Sequence, residues 1–324
     1  MGVTLLIVIL TAALSVTANN ISEQCQVHNE SKLTCSCIGN EKLSLPENYD
    51  YKKIISVSVT GCVSVIFYYS TMPEANKLEE MVIENISDRL DFNIYISSRR
   101  MRRLKLSNIG RIPIIAPLTF GALATIDTFE IENVFIEDFQ EELSFINVSH
   151  FIMSNVTIQR ICKLNISEKG KTLRIVNSEL RNITTSLNFA SFQSIDIINS
   201  RFELQKPDIM SFHADTAIVK NSVFSNISLN LVATSITVNG ICADGKSALR
   251  LKAENIDSSH NMLPNEINYS RDNQSINFFT NLNNIVCKAG NCKCPKSSGQ
   301  ALPQSDVSKF ILGWLITLLS RCFY

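Results

Sequence analysis

The chain has 324 residues, and its 30 lysines and arginines balance its 30 aspartates and glutamates, so the formal net charge is zero. This balance excludes a general electrostatic attraction to nucleic acid, and no nucleic-acid partner is predicted. With only 11 glycines, 8 prolines and no low-complexity linker, one elongated domain is expected.

The N-terminus has the form of a secretory signal peptide. An apolar run from Met1 to Leu14 is followed by the small-residue stretch from Ser15 to Ala18. A transmembrane helix is the alternative, but about 14 apolar residues fall short of the roughly 20 that span a bilayer. The sequence therefore predicts a signal peptide at 1–18 and an extracellular location in an oxidising environment.

The ten cysteines are consistent with an extracellular location, where disulfides form. A zinc site is the alternative, but no histidine accompanies the paired cysteines, so disulfides are expected. Four cysteines lie in an N-terminal cap at 19–81, and a second group comprises Cys242 and a cluster in a C-terminal cap at 253–296. Two bridges are expected in each group, with Cys162 as a buried free thiol. The expected disulfide cysteines are Cys25, Cys35, Cys37, Cys62, Cys242, Cys287, Cys292 and Cys294.

A 22-residue repeat occupies the middle of the chain. Segments of the form apolar-x-apolar-x-Asn end at Asn133, Asn155, Asn177, Asn199 and Asn221, and weaker copies end at Asn85, Asn108 and Asn239. Apolar side chains two residues apart line one face of a strand, so each copy predicts a strand followed by a bend. Self-similarity at a fixed period is typical of a stacked solenoid, which is expected over 82–252.

A second column of alternating apolar residues recurs about ten residues after most of these asparagines. Its members are Leu143 with Phe145, Leu164 with Ile166, Leu187 with Phe189 and Leu229 with Leu231. Two or three short strands per rung are the arrangement of a parallel β-helix. The expected fold class is therefore all-β, a solenoid of about 22-residue rungs with disulfide-bonded caps.

Two repeat families are similar to this pattern. The tetrads Asn199 to Phe202 and Asn221 to Phe224, with the second column, resemble the rungs of right-handed parallel β-helix proteins of the pectin-lyase-like class. The run from Phe120 to Phe139 resembles a leucine-rich repeat. The position of that family's asparagine is instead occupied by Val134, Val156, Ser178, Ser200 and Ser222. This departure favours the right-handed β-helix, with a leucine-rich-repeat-like solenoid as the alternative.

The asparagine column has two compatible interpretations. Amides at a bend can hydrogen-bond along the solenoid axis at the strand spacing of about 4.8 Å. Asparagine also tolerates the left-handed backbone conformation of turns. A ladder amide that points inward at Asn155 could not carry a glycan.

N-glycosylation acceptors of the form N-x-Ser/Thr are unusually dense, and about half are expected to carry glycan. They are Asn20, Asn29, Asn85, Asn147, Asn155, Asn165, Asn182, Asn226, Asn268 and Asn273.

No catalytic constellation is recognisable in the sequence. Many β-helix enzymes cleave acidic polysaccharides with clustered carboxylates and basic residues. The histidines are His28, His150, His213 and His260, and they do not recur in register with Asp or Ser. Asp196 and Asp215 are expected at solvated outward positions. The sequence therefore predicts no enzymatic activity, no metal site and no cofactor.

The run from Arg99 to Arg103 has three interpretations. Arg100, Arg102 and Arg103 form the Arg-x-Arg-Arg pattern that furin-like convertases cut, and exposure in a loop between rungs would permit cleavage. Closely spaced guanidinium groups could instead bind sulfated glycans. The third interpretation is a charged turn in water.

The C-terminus has the pattern of a glycosylphosphatidylinositol attachment signal. Small residues begin at Ser297, a mostly polar spacer extends to Lys309, and an apolar tail begins at Phe310. A transmembrane helix is the alternative, but the stretch is about 15 residues long and Arg321 interrupts it. Attachment is expected at Ser297, with site and spacer at 297–309 and a removed tail at 310–324.

These features predict a non-enzymatic glycoprotein at the outer face of the plasma membrane, with secretion or a single membrane span as alternatives. The lipid anchor would bind the membrane, and an exposed solenoid face would recognise an extracellular protein or glycan. The outward residues expected on that face are Glu130, Glu132, Arg174, Asp196 and Lys220. A carbohydrate-active β-helix enzyme and a structural coat or matrix component are the alternatives.

Overall fold

The structure is a computed structural model that describes residues 19–22, 24–37, 41–45, 49–244, 247–264, 267–270, 285–287 and 294. For 19–22, 190, 263–264, 267–270 and 285–287 it describes the backbone alone. The predicted signal peptide at 1–18 and the predicted anchor signal at 297–324 lie outside this part of the chain. None of the helical structure among the described residues is long and apolar enough to cross a membrane.

Strands form nearly all of the regular structure. The first strands are β1 (Asn19–Ser22), β2 (Cys25–His28), β3 (Lys32–Ser36), β4 (Lys42–Ser44), β5 (Ser56–Thr60), β6 (Ser64–Phe67) and β7 (Glu80–Phe92), with one turn of 3-10 helix at Tyr51–Lys53. The central strands are β8 (Arg100–Ile115), β9 (Thr125–Phe139), β10 (Asn147–Ile161), β11 (Gly170–Val176), β12 (Glu179–Ile183), β13 (Leu187–Ile198), β14 (Arg201–Lys220) and β15 (Val223–Asn239). The last are β16 (Cys242–Asp244), β17 (Ala248–Lys252), β18 (Asn255–Ser259), β19 (Met262–Pro264), β20 (Ile267–Ser270) and β21 (Ile285–Cys287).

The strands stack in parallel and form a solenoid of about ten turns. Phe129 pairs with Phe151, Phe151 with Leu173, and Leu173 with Ile195. This register confirms the predicted rungs of about 22 residues. The stack is longer than the expected 82–252, because β3, β5 and β7 already pair in parallel and β18 and β20 continue the pairing. At the N-terminal end, β1, β2 and β3 pair antiparallel.

A complete rung has three faces, which are clearest in β13, β14 and β15. Face C comprises residues 187–189, 210–212 and 229–231, and the chain then bends into face A at 194–198, 216–220 and 235–239. After the asparagine bend, face B comprises 179–183, 201–204 and 223–225. The faces bury alternate side chains, except at 223–225, where all three residues are buried, and the core is a continuous apolar column inside the solenoid.

The asparagines form the bend between faces A and B, which we call the ladder corner. Seven of them have φ between 48° and 58°, namely Asn85, Asn108, Asn133, Asn155, Asn177, Asn199 and Asn221. Their amides also bond from rung to rung: the Asn133 Nδ2 donates to Asn108 Oδ1 at 2.7 Å, and the Asn155 Nδ2 donates to Asn133 Oδ1 at 2.8 Å. Both interpretations of the column are confirmed. The ladder amides lie outside the core, so the side chain of Asn155 does not point inward.

Asn239 is not the corner residue of its rung. It pairs with Lys220, and the positive φ of 65° belongs to Gly240. The Oδ1 atom of Asn221 lies 2.5 Å from where a Cβ on Gly240 would be, so this position requires glycine for space as well as for conformation.

Buried serines support the ladder corner in the later rungs. Ser178, Ser200 and Ser222 follow the corner asparagines and are fully buried. The Ser200 Oγ accepts the Ser178 N–H at 3.2 Å and donates to the Ile198 carbonyl at 2.9 Å. The Ser222 hydroxyl likewise accepts the Ser200 N–H at 3.1 Å. These hydroxyls therefore satisfy backbone N–H groups that would otherwise be buried without partners.

Phe145 departs from the predicted second column. Leu143 is buried as expected, but Phe145 is 85% exposed. Residues 144–145 form a turn in which the Ile146 N–H donates to the Leu143 carbonyl at 3.1 Å. Ile146 therefore takes the inward position, and the alternation that holds at Leu187 and Phe189 fails here.

The disulfides lie near the two ends of the described stack. Cys25 bonds Cys35 across β2 and β3, and Cys37 bonds Cys62, which confirms two bridges within the N-terminal group. Cys242 bonds Cys294. The side chain of Cys287 and all of Cys292 lie outside the described residues.

Cys162 has no disulfide partner among the residues that the structure describes. It is half-buried, not buried as expected, and its Sγ lies 3.8 Å from Asp138 Oδ1.

Candidate binding groove

The bend between faces C and A forms a groove that we call the corner groove. It has a volume of about 570 Å³ and crosses five successive rungs. Four inter-strand spacings give it a length of roughly 19 Å. The side chains that line it are supplied by the segments 169–170, 191–193, 213–215, 232–234 and 252–254.

Mostly small residues form the floor of the groove. The strand register aligns Gly170 with Phe192, Phe192 with Ala214, and Ala214 with Ala233. A Cβ on Gly170 would lie 2.7 Å from the Val148 carbonyl oxygen and would collide with the Phe192 ring. Glycine thus lets the Phe192 ring pack against the backbone. The floor positions of the next three rungs are Ala214, Ala233 and Ala253, whose small side chains leave the rest of the groove open.

Mostly polar side chains form both walls, with Val232 between His213 and Lys252 in one of them. His213 and Asp215 flank Ala214, and Lys252 and Glu254 flank Ala253. Residues two apart in a strand point to the same side, so His213 and Asp215 lie on either side of Ala214 with both side chains on the surface of the groove, as do Lys252 and Glu254 around Ala253. The groove therefore offers donors and acceptors of both charges along its length.

A bulge lies in the rung of Phe192. The register between β13 and β14 shifts between Phe189 and Phe192, and Ser191 has a φ of 61°. A serine in the left-handed region is uncommon and costs of order 1 kcal/mol or more. The bulge places Ser191 and Gln193 on the two sides of the buried Phe192 ring.

Sequence reasoning does not find this site. Asp215 is exposed, as expected, but the sequence gives no reason to associate it with His213, and the two line the groove together with Lys252 and Glu254. A signal is present in the polar-small-polar triplets 213–215 and 252–254, which lie just before the apolar alternation of face A. Their spacing is looser than that of the asparagines, so the triplets are less visible.

The five residues expected on the outward surface all lie on face A. Arg174 and Asp196 are neighbours in adjacent rungs, and Lys220 lies at the end of its strand beside the ladder corner. Glu130 is already paired, because its Oε2 accepts from Arg103 Nη2 at 3.2 Å. Half-buried apolar side chains, Ile152 and Ile218, lie between these charges. Face A thus presents charges and half-buried isoleucines, and the pocket on it at 235–237 and 254–257 has a volume of about 260 Å³, less than half that of the groove.

The arginine run does not lie in a loop before a strand as expected. It starts β8 at Arg100, and Met101 is fully buried. The guanidinium groups meet carboxylates of the neighbouring rungs: Arg100 with Asp127 at 3.3 Å and Arg102 with Glu80 at 3.4 Å. The strand bonds to β7 on one side and β9 on the other. A convertase would therefore have to detach β8, and a sulfated glycan would have to compete with the carboxylates.

The predicted acceptor asparagines occupy several environments. Asn85 and Asn155 belong to the ladder corner. The Nδ2 groups of Asn182 and Asn226 donate to carbonyls of the preceding rung, Gln159 at 3.0 Å and Leu204 at 3.2 Å. The Asn165 Oδ1 accepts the Asn188 N–H at 2.9 Å. Asn29 lies in the β2–β3 turn and Asn147 starts β10, whereas Asn20 and Asn268 are described by backbone alone and Asn273 lies outside the described residues.

No family model, curated protein or solved structure matches the chain. The assignment of a parallel β-solenoid therefore rests on the strand register, and the description of the corner groove rests on its geometry.

Proposed function

We propose that this chain is a non-enzymatic recognition glycoprotein of the outer cell surface, and that it binds an extended extracellular glycan in the corner groove. The observation that carries the proposal is the groove itself, which crosses five rungs and has polar walls on a mostly small-residue floor. Successive rungs lie at the strand spacing of about 4.8 Å, so the groove is complementary to an extended ligand that is itself a repeating chain.

The composition of the groove favours a glycan over a protein partner. Protein interfaces are centred on buried aromatic and apolar anchors with few charged groups. The groove instead alternates charged and polar wall residues, such as His213, Asp215, Lys252 and Glu254, that can bond to hydroxyl groups. Face A, with its charged side chains and half-buried isoleucines, is the competing surface.

The test compares the two surfaces on the full chain displayed on cells. Ala214→Trp would fill the groove at its middle rung without removing any wall residue. Binding to an array of extracellular glycans is expected to fall at least about tenfold, the equivalent of about 1.4 kcal/mol. The control is the double variant Arg174→Glu with Asp196→Lys, which changes face A and should bind within about twofold of the unaltered chain. Loss of binding in the control alone would transfer the site to face A and contradict the groove.

One observation favours a second candidate, a carbohydrate-active enzyme of the pectin-lyase-like right-handed β-helix type. Asp215 and Glu254 lie in the same wall, two rungs apart. Asp215 precedes Thr216 and Glu254 precedes Asn255, and Thr216 and Asn255 both pair with Ser235, which lies between them. Two strand spacings are about 9.6 Å, near the upper end of the roughly 6.5–9.5 Å carboxyl separation of inverting glycosidases. Incubation of the bound glycan with the chain, followed by measurement of new reducing ends, decides between the two. If the chain cleaves the glycan and both Asp215→Asn and Glu254→Gln abolish the cleavage, the proposed function becomes catalysis and not recognition.

The lipid anchor belongs to the same proposal and needs its own test. Cells that express the chain are treated with a phosphatidylinositol-specific phospholipase, and surface and released protein are measured. Release is expected, because the C-terminal pattern is that of a glycosylphosphatidylinositol signal. Retention, while an anchored control protein is released, would indicate a membrane-spanning tail.

A further inference from the structure

Phe145 is the most exposed large apolar side chain among the described residues. It is 85% exposed, whereas the neighbouring residues Leu143 and Ile146 are almost fully buried. Such a ring loses contact with water only if something outside the protein fold covers it, and removing this much apolar surface from water is favourable.

Phe145 lies two residues before a predicted glycan acceptor. The burial pattern over 145–149 alternates from exposed Phe145 to buried Ile146, half-buried Asn147, buried Val148 and half-buried Ser149. Asn147 and Ser149 are two residues apart in β10, so the acceptor amide and the hydroxyl that completes the acceptor motif point to the same side, and the exposed ring of Phe145 lies in the turn directly before them. The backbone is fixed at this point, because the Asn147 N–H donates to the Ala124 carbonyl at 2.9 Å and Asn147 pairs with Thr125.

The side-chain amide of Asn147 makes no hydrogen bond to the described residues, so it is available for modification. Acceptors on the ladder corner differ, since the Asn155 Nδ2 donates to Asn133.

The chain contains an internal comparison with the same spacing. Phe224, Asn226 and Ser228 repeat the arrangement of Phe145, Asn147 and Ser149 in the sequence. Phe224, however, is buried and stacks on Phe202 with ring centroids 5.4 Å apart. The Asn226 amide is held by the Leu204 carbonyl at 3.2 Å. Sequence spacing alone therefore does not expose a ring beside an acceptor.

We propose that Phe145 is the platform on which the innermost N-acetylglucosamine of a glycan at Asn147 packs. One face of this sugar presents C–H groups, and its acetyl group presents a methyl, which are attracted to the negative face of an aromatic ring. The occupant is attached to the chain itself, so it is held near the ring without the entropic cost of association. The inference needs only the secretory route and is independent of the corner groove.

The test is a double-mutant cycle on the full chain produced in glycosylating cells. The four proteins are the unaltered chain, Phe145→Ala, Ser149→Ala, which removes the acceptor motif, and the double variant. Glycans are trimmed to a single N-acetylglucosamine, and amide hydrogen exchange is measured over residues 143–149. Phe145→Ala is expected to accelerate exchange roughly three- to tenfold when the sugar is present and less than about twofold in the Ser149→Ala background.

A second measurement does not depend on stability. Protons of the Asn147 sugar should shift upfield in NMR spectra, because they lie over the ring, and Phe145→Ala should remove this shift. Any sugar at Asn226 serves as the control and should not respond to Phe145→Ala. Mass spectrometry that finds Asn147 unmodified, equal exchange effects in both backgrounds, or sugar protons without the shift would each overturn the proposal.

Discussion

Two of the three bends in a rung, the ladder corner and the corner groove, turn the chain in different ways. At the ladder corner, one residue in the left-handed conformation turns the chain, and its amide donates to the amide of the preceding rung, as the Asn133 Nδ2 does to Asn108 Oδ1 at 2.7 Å. At the corner groove, most rungs turn over a small residue such as Ala214 or Ala233, and the flanking polar side chains point outward.

The difference separates residues that specify the fold from residues that are available to a ligand. The side chains of the ladder corner bond to each other, as Asn155 bonds to Asn133, and buried serines support the backbone behind them. The wall residues His213, Asp215, Lys252 and Glu254 surround open space. A regular solenoid can thus keep one corner constant for stability and vary another for binding. Substitutions at the two corners should therefore differ in their effect on stability.

The largest effect is expected at Asn199, which lies outside any glycan acceptor motif. Asn199→Val removes the amide that donates to Asn177 Oδ1 at 3.1 Å and places a β-branched residue at a φ of 50°. A loss of about 2–4 kcal/mol in unfolding free energy is expected from urea denaturation. Asn199→Gly is the matched control: it tolerates the backbone conformation and should lose only about 1 kcal/mol, the net contribution of one hydrogen bond. Equal losses in the two variants would show that the left-handed conformation contributes nothing.

The sequence predicts the ladder corner better than the groove for a physical reason. A left-handed bend accepts few residue types, so asparagine recurs once in every rung from Asn133 to Asn221 and is visible as a pattern. The groove needs only small floor residues and polar neighbours, a requirement that many residues satisfy. Its rungs also drift in length: Phe192 pairs with Ala214 and Ala214 with Ala233, so the second interval is shorter than the first.

Local turns and distant partners explain the other failures of prediction. Phe145 continues an apolar alternation in the sequence but lies in a turn that moves Ile146 inward. The arginine run looks like a loop because of its charge, yet the carboxylates that accompany it, Asp127, Glu80 and Glu130, come from the neighbouring rungs. Contacts of this kind are fixed by the strand register, which no single segment contains.

The serine behind the ladder corner should have the next largest effect. Ser200→Ala leaves the buried N–H of Ser178 without its 3.2 Å acceptor. An unsatisfied buried donor costs about 1–3 kcal/mol, so a loss in this range is expected in the same denaturation assay. Ser178 amide exchange should accelerate most. A loss below about 0.5 kcal/mol, the lower limit for one net hydrogen bond, would mean that the serines fill space but do not support the corner.

A smaller, pH-dependent effect is expected at the turn before face C, where Glu141 is buried. Burial raises the pKa of Glu141, against the opposing hydrogen bonds from the backbone of Phe120, Glu142 and Thr119. Because the folded-state pKa lies above the unfolded one, this group favours the fold at acidic pH and loses that contribution as pH rises through the folded pKa. Glu141→Gln keeps an acceptor for the Phe120 N–H but carries no charge.

Denaturation at several pH values tests this expectation. At neutral pH, Glu141→Gln should match or exceed the unaltered chain by up to about 1 kcal/mol, and the advantage should disappear on acidification. Asp138 provides the contrast: burial opposes its charge, but hydrogen bonds with Arg160 and Gln140 and the Arg160 charge outweigh that effect and lower its pKa. An advantage of Glu141→Gln that grows at acidic pH would contradict the assignment.

The smallest effect is expected from the reverse exchange of serine and alanine at the corner groove. Ala214→Ser adds a hydroxyl to a half-buried floor residue that faces the open groove, where water can satisfy it. The unfolding free energy should change by less than about 0.5 kcal/mol, as for most substitutions without a buried partner. Compared with Ser200→Ala in the same assay, this variant measures directly whether the two corners differ in their contribution to the fold. A loss at Ala214 as large as that at Ser200 would mean that the corner groove is a structural element and would weaken the argument that its walls are free to bind a glycan.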